Sequence, residues 1–104
     1  MTLEGLYAEL NALGMPLAYH QHTGAVSLPF LVYRLEGSDD LMADNHNYAE
    51  ISDVAIELYS PKKDTTSEAL VEAKLKELRI PYVKHEVWIQ DEELFMTLYE
   101  VTII

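Results

Sequence analysis

Residues 65–104, TTSEALVEAKLKELRIPYVKHEVWIQDEELFMTLYEVTII, decide the fold, because the hydrophobic period changes inside them. Leu70, Val71, Leu75 and Leu78 recur at helical spacing. In front of them Thr65-Thr66-Ser67-Glu68 fits a capping box, in which Thr65 takes the Glu68 amide and Glu68 reaches back. Pro81 ends this helix. From Tyr82 to Gln90 the period falls to two: Val83, Val87 and Ile89 share a face with His85, and Tyr82, Lys84, Glu86 and Trp88 take the other. Asp91-Glu92-Glu93 turns the chain, and a final strand runs from Leu94 to Ile104, so a closing β-hairpin is expected. That strand is apolar on both sides, with Leu94, Met96 and Leu98 opposite Phe95, Tyr99, Val101 and Ile103.

Reading back towards the N-terminus, residues 48–59 form a long strand with Val54, Ile56 and Leu58 on one face. Ile51 is out of phase, which predicts a bulge near Ser52-Asp53. Residues 37–47, GSDDLMADNHN, are polar, rich in turn formers and aperiodic, and are expected to be a loop. Residues 29–36 alternate Phe30, Val32 and Arg34 with Leu31, Tyr33 and Leu35, a strand with Pro29 at its start or on a sheet edge. Residues 17–22 suggest a short strand broken by Thr23-Gly24. At the front, Thr2 caps a helix whose stripe is Leu3, Leu6, Tyr7, Leu10 and Leu13, closed by Gly14 at a left-handed C′ position and by Pro16.

The order is α-β-β-β-α-β-β in a single domain, residues 1–104. The fold class is α+β: a mainly antiparallel sheet of about five strands with two helices packed on one face. At this length about two-thirds of the extended surface can be buried, enough for one core. Two helices leave the second sheet face uncovered, which calls for a partner or a ring of copies. Seven tyrosines and one tryptophan suit such an interface or the sealing of a sheet edge.

Composition removes several function classes. There is no cysteine, hence no disulfide framework, thiolate zinc site or cysteine nucleophile. No apolar run approaches the roughly 18 residues of a membrane span, and Met-Thr-Leu-Glu does not open a signal peptide. Lys+Arg is 7 against Asp+Glu 18, a net charge of −11 that repels phosphate and disfavours nucleic acid or an anionic membrane as a partner.

The sites that carry chemistry elsewhere are weak here. His20 and His22, two apart on the short strand, would share a face as a pair binding zinc or nickel does, but no third ligand is identifiable. Asp39, Asp40, Asp44, Asn45 and His46 lack the alternation, central glycine and distal glutamate of a calcium loop. His85 reads as a satisfied core or interface histidine. The four glycines are isolated, so no phosphate loop or dinucleotide fingerprint appears. The expectation is a non-enzyme with no catalytic residues, no cofactor and no metal. Leu41 and Met42, two apolar residues inside an acidic segment, either tuck onto the core or wait for a partner. The interface candidates are Leu41, Met42, Asp44, Tyr48, Trp88 and Tyr99.

Residues 28–101 resemble a family of small head-tail connector or tail-completion proteins of long-tailed phages and prophages of Gram-positive hosts, similar to tail terminators. The matching features, in order, are Leu28-Pro29-Phe30 opening a strand that ends near Tyr33, then Met42-Ala43-Asp44-Asn45, Tyr48, Ile56-Glu57-Leu58-Tyr59 and Lys62-Lys63-Asp64. After the short helix come Ile80-Pro81-Tyr82 and a hairpin containing Tyr99-Glu100. The first 27 residues lie outside the resemblance. It implies α+β subunits assembling as a ring, commonly hexameric, that caps the major tail tube protein and presents a surface to head-completion or connector proteins. It implies assembly in the host cytoplasm and a final place at the virion head-tail junction. An acidic ring would let DNA pass without binding it. The rival reading is an acidic protein-binding module or DNA-mimic inhibitor outside phage assembly. Acids clustered on one face at phosphate-like spacing would favour the mimic, and spread acids with an apolar edge the ring.

Overall fold

The computed structural model describes residues 1–38, 41–43, 46–49 and 51–104, with side chains described outside residues 38–50. The elements are α1 (Leu3–Asn11), β1 (Leu17–Tyr19), β2 (Phe30–Ser38), β3 (Leu41–Ala43), β4 (His46–Ala49), β5 (Ser52–Ser60), α2 (Thr65–Glu77), β6 (Tyr82–Ile89) and β7 (Leu94–Ile103). Five strands make one sheet in the order β1-β2-β5-β7-β6, and β3 pairs with β4 in a separate two-stranded sheet. The larger sheet is antiparallel except for β1, which runs parallel to β2. The α+β class and the order α-β-β-β-α-β-β of the helices and main-sheet strands stand as read from the sequence, with a short β1.

The core lies between the two helices and one face of the sheet. Leu6 and Leu10 of α1 and Val71 and Leu75 of α2 pack with Leu31, Tyr33, Val54, Ile56, Leu58, Tyr99, Val101 and Ile103. Register places all these strand residues on the same side: Leu31 lies opposite Leu58, Tyr33 opposite Ile56, and Ile56 opposite Tyr99. Thr2 caps α1 by accepting from the Gly5 N–H at 3.0 Å, and Gly14 takes the left-handed φ of 87° assigned to it.

Four local expectations are corrected. The cap of α2 is Asp64, whose carboxylate accepts from the Ser67 N–H at 3.0 Å and the Ser67 hydroxyl at 2.8 Å. Glu68 does not close a box on Thr65, because it is drawn into ion pairs with Lys63 and Lys84. Leu70 is 45% exposed, so the buried stripe is Val71 and Leu75, preceded by Ser67 and Glu68 and continued by the partly buried Leu78. The described part of residues 37–47 is not a structureless loop, since β2 extends to Ser38 and β3 and β4 pair with each other, while Asp39, Asp40, Asp44 and Asn45 lie outside the described residues. The strand expected over residues 48–59 is likewise divided between β4 and β5, and the irregularity beside Asp53 belongs to the partner strand. Leu35 opposes Val54 and Gly37 opposes Asp53, which makes Glu36 the extra residue.

The end of α2 precedes Pro81. The Ile80 N–H reaches the Leu75 carbonyl at 2.9 Å and the Arg79 N–H reaches Lys76 at 3.0 Å, with Arg79 at φ 59°. This is a Schellman ending, sealed by the buried pair Ile80 and Leu75. A left-handed arginine is strained by about 1 kcal/mol, so Arg79→Gly should raise the urea-unfolding free energy by about that much. Asp64→Ala should lower it by about 1 kcal/mol, the usual worth of an N-cap.

Candidate interaction surface

The two faces of the sheet differ in chemistry. On the helix side, a polar network ties α2 to β6 and β7. Glu68, 3% exposed, accepts from Lys63 at 2.8 Å and pairs with Lys84 at 2.7 Å. Glu72 takes Lys84 at 2.9 Å, the Tyr99 hydroxyl at 2.8 Å and the Tyr82 hydroxyl at 3.2 Å. Lys63 also reaches Glu86 of β6. Burial alone would raise the Glu68 carboxyl, but the hydrogen bonds from Lys63 and Lys84 outweigh it and hold it below the ordinary range. Glu72 behaves alike: desolvation is overcome by Lys84, Tyr99 and Tyr82. Tyr99 is pushed well up, by burial first and then by donating to Glu72.

The opposite face carries no helix. By register it presents Phe30, Val32 and Arg34 from β2, Ala55, Glu57 and Tyr59 from β5, Leu94, Met96 and Leu98 from β7, and Val83, His85 and Val87 from β6. One charged pair is set into it. Glu57 is buried and accepts from Arg34 and, at 2.9 Å, from the Tyr59 hydroxyl. The Tyr59 ring stacks on Phe30 with centroids 5.0 Å apart, and His22 meets Phe30 edge-on at 4.9 Å. The β1–β2 connection reaches over this end of the face, where His22, Val26, Phe30, Val32, Tyr59 and Leu94 are among the residues around a cavity of about 330 Å³. Towards β6 the face opens to solvent, and Val83 and Val87 are 56% and 42% exposed.

Of the interface candidates, Trp88 is on the surface, 47% exposed at the outer strand, with its indole N–H donating to Gln90 at 2.8 Å. Tyr99 is corrected: it is 0% exposed, its ring packs edge-on against Tyr82 and its hydroxyl is engaged by Glu72, so it is core. Asp44 lies outside the described residues, as do the side chains of Leu41, Met42 and Tyr48. The histidine pair does not form on a shared strand face. β1 stops at Tyr19, His20 turns at φ 70°, and His22 Nε2 lies 3.0 Å from the Leu31 carbonyl. His85 is not in the core but half-exposed on the open face, 3.3 Å from Glu100. Among the described residues no group of three or more His, Cys, Asp or Glu is arranged to hold a metal ion, and no helix is long and apolar enough to cross a membrane.

The sequence reading missed the Arg34–Glu57 pair and the free edge of β6. Alternation already put Arg34 with Phe30 and Val32. The signal available for Glu57 was its place on the other parity from Ile56 and Leu58 in an otherwise apolar run. No protein-family model matches the chain, and no curated protein matches it.

Proposed function

We propose that the chain is a non-enzymatic structural subunit of a phage or prophage head-tail junction. In this reading it is tail-terminator-like, closing into a ring that caps the tail tube and joins it to the head. The observation that carries this reading is the sheet face opposite the helices, which is largely apolar and has no helical layer over it. Such a face is buried when copies or a tube subunit are laid on it. The ordered likeness of residues 28–101 to tail-completion proteins points the same way, and a charge of −11 suits a ring that DNA must traverse without sticking.

Among the described residues the acids do not gather on one face, which does not favour the DNA-mimic reading. Glu4, Glu9 and Glu77 lie on the helices, Glu57 and Glu100 on the open sheet face, and Asp91, Glu92 and Glu93 in the β6–β7 turn. Glu57, Glu68 and Glu72 are neutralised by Arg34, Lys63 and Lys84. The test adds the purified chain to polymerising tail tube protein from the same phage and follows tube length by electron microscopy. Tubes should stop growing at one end and carry a ring there. Tubes that lengthen equally with and without the chain overturn the proposal.

A further inference from the structure

β6 ends the sheet, so its outer row of N–H and C=O groups has no neighbouring strand among the described residues. The opposite edge is β1, only Leu17–Tyr19, and a short edge strand is a poor template. β6 runs from Tyr82 to Ile89 and exposes Val83, Val87 and Trp88 along this border. Long, partly apolar and unpaired, it is the kind of edge that takes another strand.

We propose that the occupant is β6 of a second copy of this chain, paired antiparallel about a two-fold axis at His85. Symmetry restricts the choices. An antiparallel edge dimer has its axis normal to the sheet, which keeps both helical layers on one side and lets a residue meet only residues of its own face. The two longest overlaps are centred on His85 and on Glu86. The second sets Glu86 against the partner's Glu86, a like-charge pair. The first sets Lys84 against the partner's Glu86 and Glu86 against the partner's Lys84. It also joins Val83 to the partner's Val87, and Tyr82 to the partner's Trp88. Lys84-His85-Glu86 is thus self-complementary in sign, so the charges that could blunt this edge against other strands suit it to its own copy.

The dimer uses the edge and leaves the open face free, so the inference stands independently of the ring reading. One strand edge buries less than the roughly 1,600 Å² of a standard interface, so association is weak. The subunits also repel through their net charge, which about 0.15 M salt screens beyond about 8 Å.

The test is sedimentation of the full chain at that ionic strength, from about 1 µM to about 1 mM. Wild type should shift from monomer to dimer across the series. Val83→Lys with Val87→Lys sets lysine against lysine twice and should weaken association about 30-fold. Val83→Lys with Val87→Glu carries the same number of changes at the same exposed sites, but its charges attract across the axis, so the dimer should persist. Thermal melts of both variants check that the subunit itself is intact. The proposal is overturned by a wild type that stays monomeric throughout. It is equally overturned by any assembly that the double-lysine variant leaves intact, or by a lysine–glutamate variant that dissociates as readily as the double-lysine one.

Discussion

Leu75→Ala lowers the unfolding free energy by about 2–5 kcal/mol, read as a fall in the urea midpoint at unchanged slope. Leu75 is 0% exposed and belongs to the cluster that joins α2 to the sheet. Its carbonyl also accepts the Ile80 N–H that closes the helix, and the two side chains seal that ending. Truncation leaves a cavity under rigid strands, so the lining cannot collapse to fill it. For a domain of this size the loss is a large part of a total of about 5–15 kcal/mol. Leu70→Ala is the matched control: the same deletion at a half-exposed position of the same helix should stay within about 0.5 kcal/mol. Equal losses at the two positions would mean that the helix docks with the phase of its full leucine pattern, and not with Val71, Leu75 and Leu78.

That contrast shows where local pattern stops informing. In α1 the apolar stripe and the buried residues largely coincide, because nothing polar competes for the docking face. Simple alternation assigned Phe30 to Leu35 of β2, and the apolar side chains of β7, to the correct faces. In α2 the docked face begins with Ser67 and Glu68, both buried. A glutamate is buried there because Lys63 arrives from before the helix and Lys84 from β6. No window of helical length contains both lysines, so a count of apolar residues shifts the phase towards Leu70. Tyr99 failed for a related reason. An abundance of tyrosines suggested an interface, but the Tyr99 hydroxyl finds its acceptor in Glu72, on another element.

The β3–β4 hairpin was illegible for a different reason. Alternation reports burial of side chains on a sheet face, whereas pairing of backbone groups needs no apolar period. Leu41–Ala43 and His46–Ala49 pair without one. The free edge of β6 depends on strand order, which places β7 between β5 and β6. Order is set by long-range pairing and leaves no trace in the period of a single strand. The lack of a helical layer on the second face was legible, because the last strand has two apolar sides and there are only two helices; the β1–β2 connection that reaches over one end of it, where Val32 and Ala55 are buried, was not.

Lys84→Met should cost about 3 kcal/mol at neutral pH and change how stability responds to acid. Methionine keeps the aliphatic stem but removes the ammonium that sits 2.7 Å from Glu68 and 2.9 Å from Glu72. Glu68 is then left buried with Lys63 as its one cation, and breaking a buried pair from one side is worth roughly 3–5 kcal/mol, with the lower figure apt because Lys84 is partly exposed. The pH dependence follows from the direction of the shifts. Burial would raise both carboxyls, yet lysine and tyrosine hydrogen bonds hold them below the ordinary value of 4.5. The folded state therefore binds fewer protons than the unfolded state just below that value. The stabilisation is fully present above it and is lost as pH falls through the lower folded values. Without Lys84 the hydrogen bonds no longer outweigh burial so fully, and the folded carboxyls titrate closer to, or above, the unfolded ones. Urea melts from about pH 7 to about pH 3 should show wild type losing stability on acidification more steeply than Lys84→Met, so that the two curves converge. Parallel curves would mean that Lys84 packs against the helix without neutralising it, and a variant as stable as wild type at neutral pH would remove the network from the forces that hold α2 to the sheet.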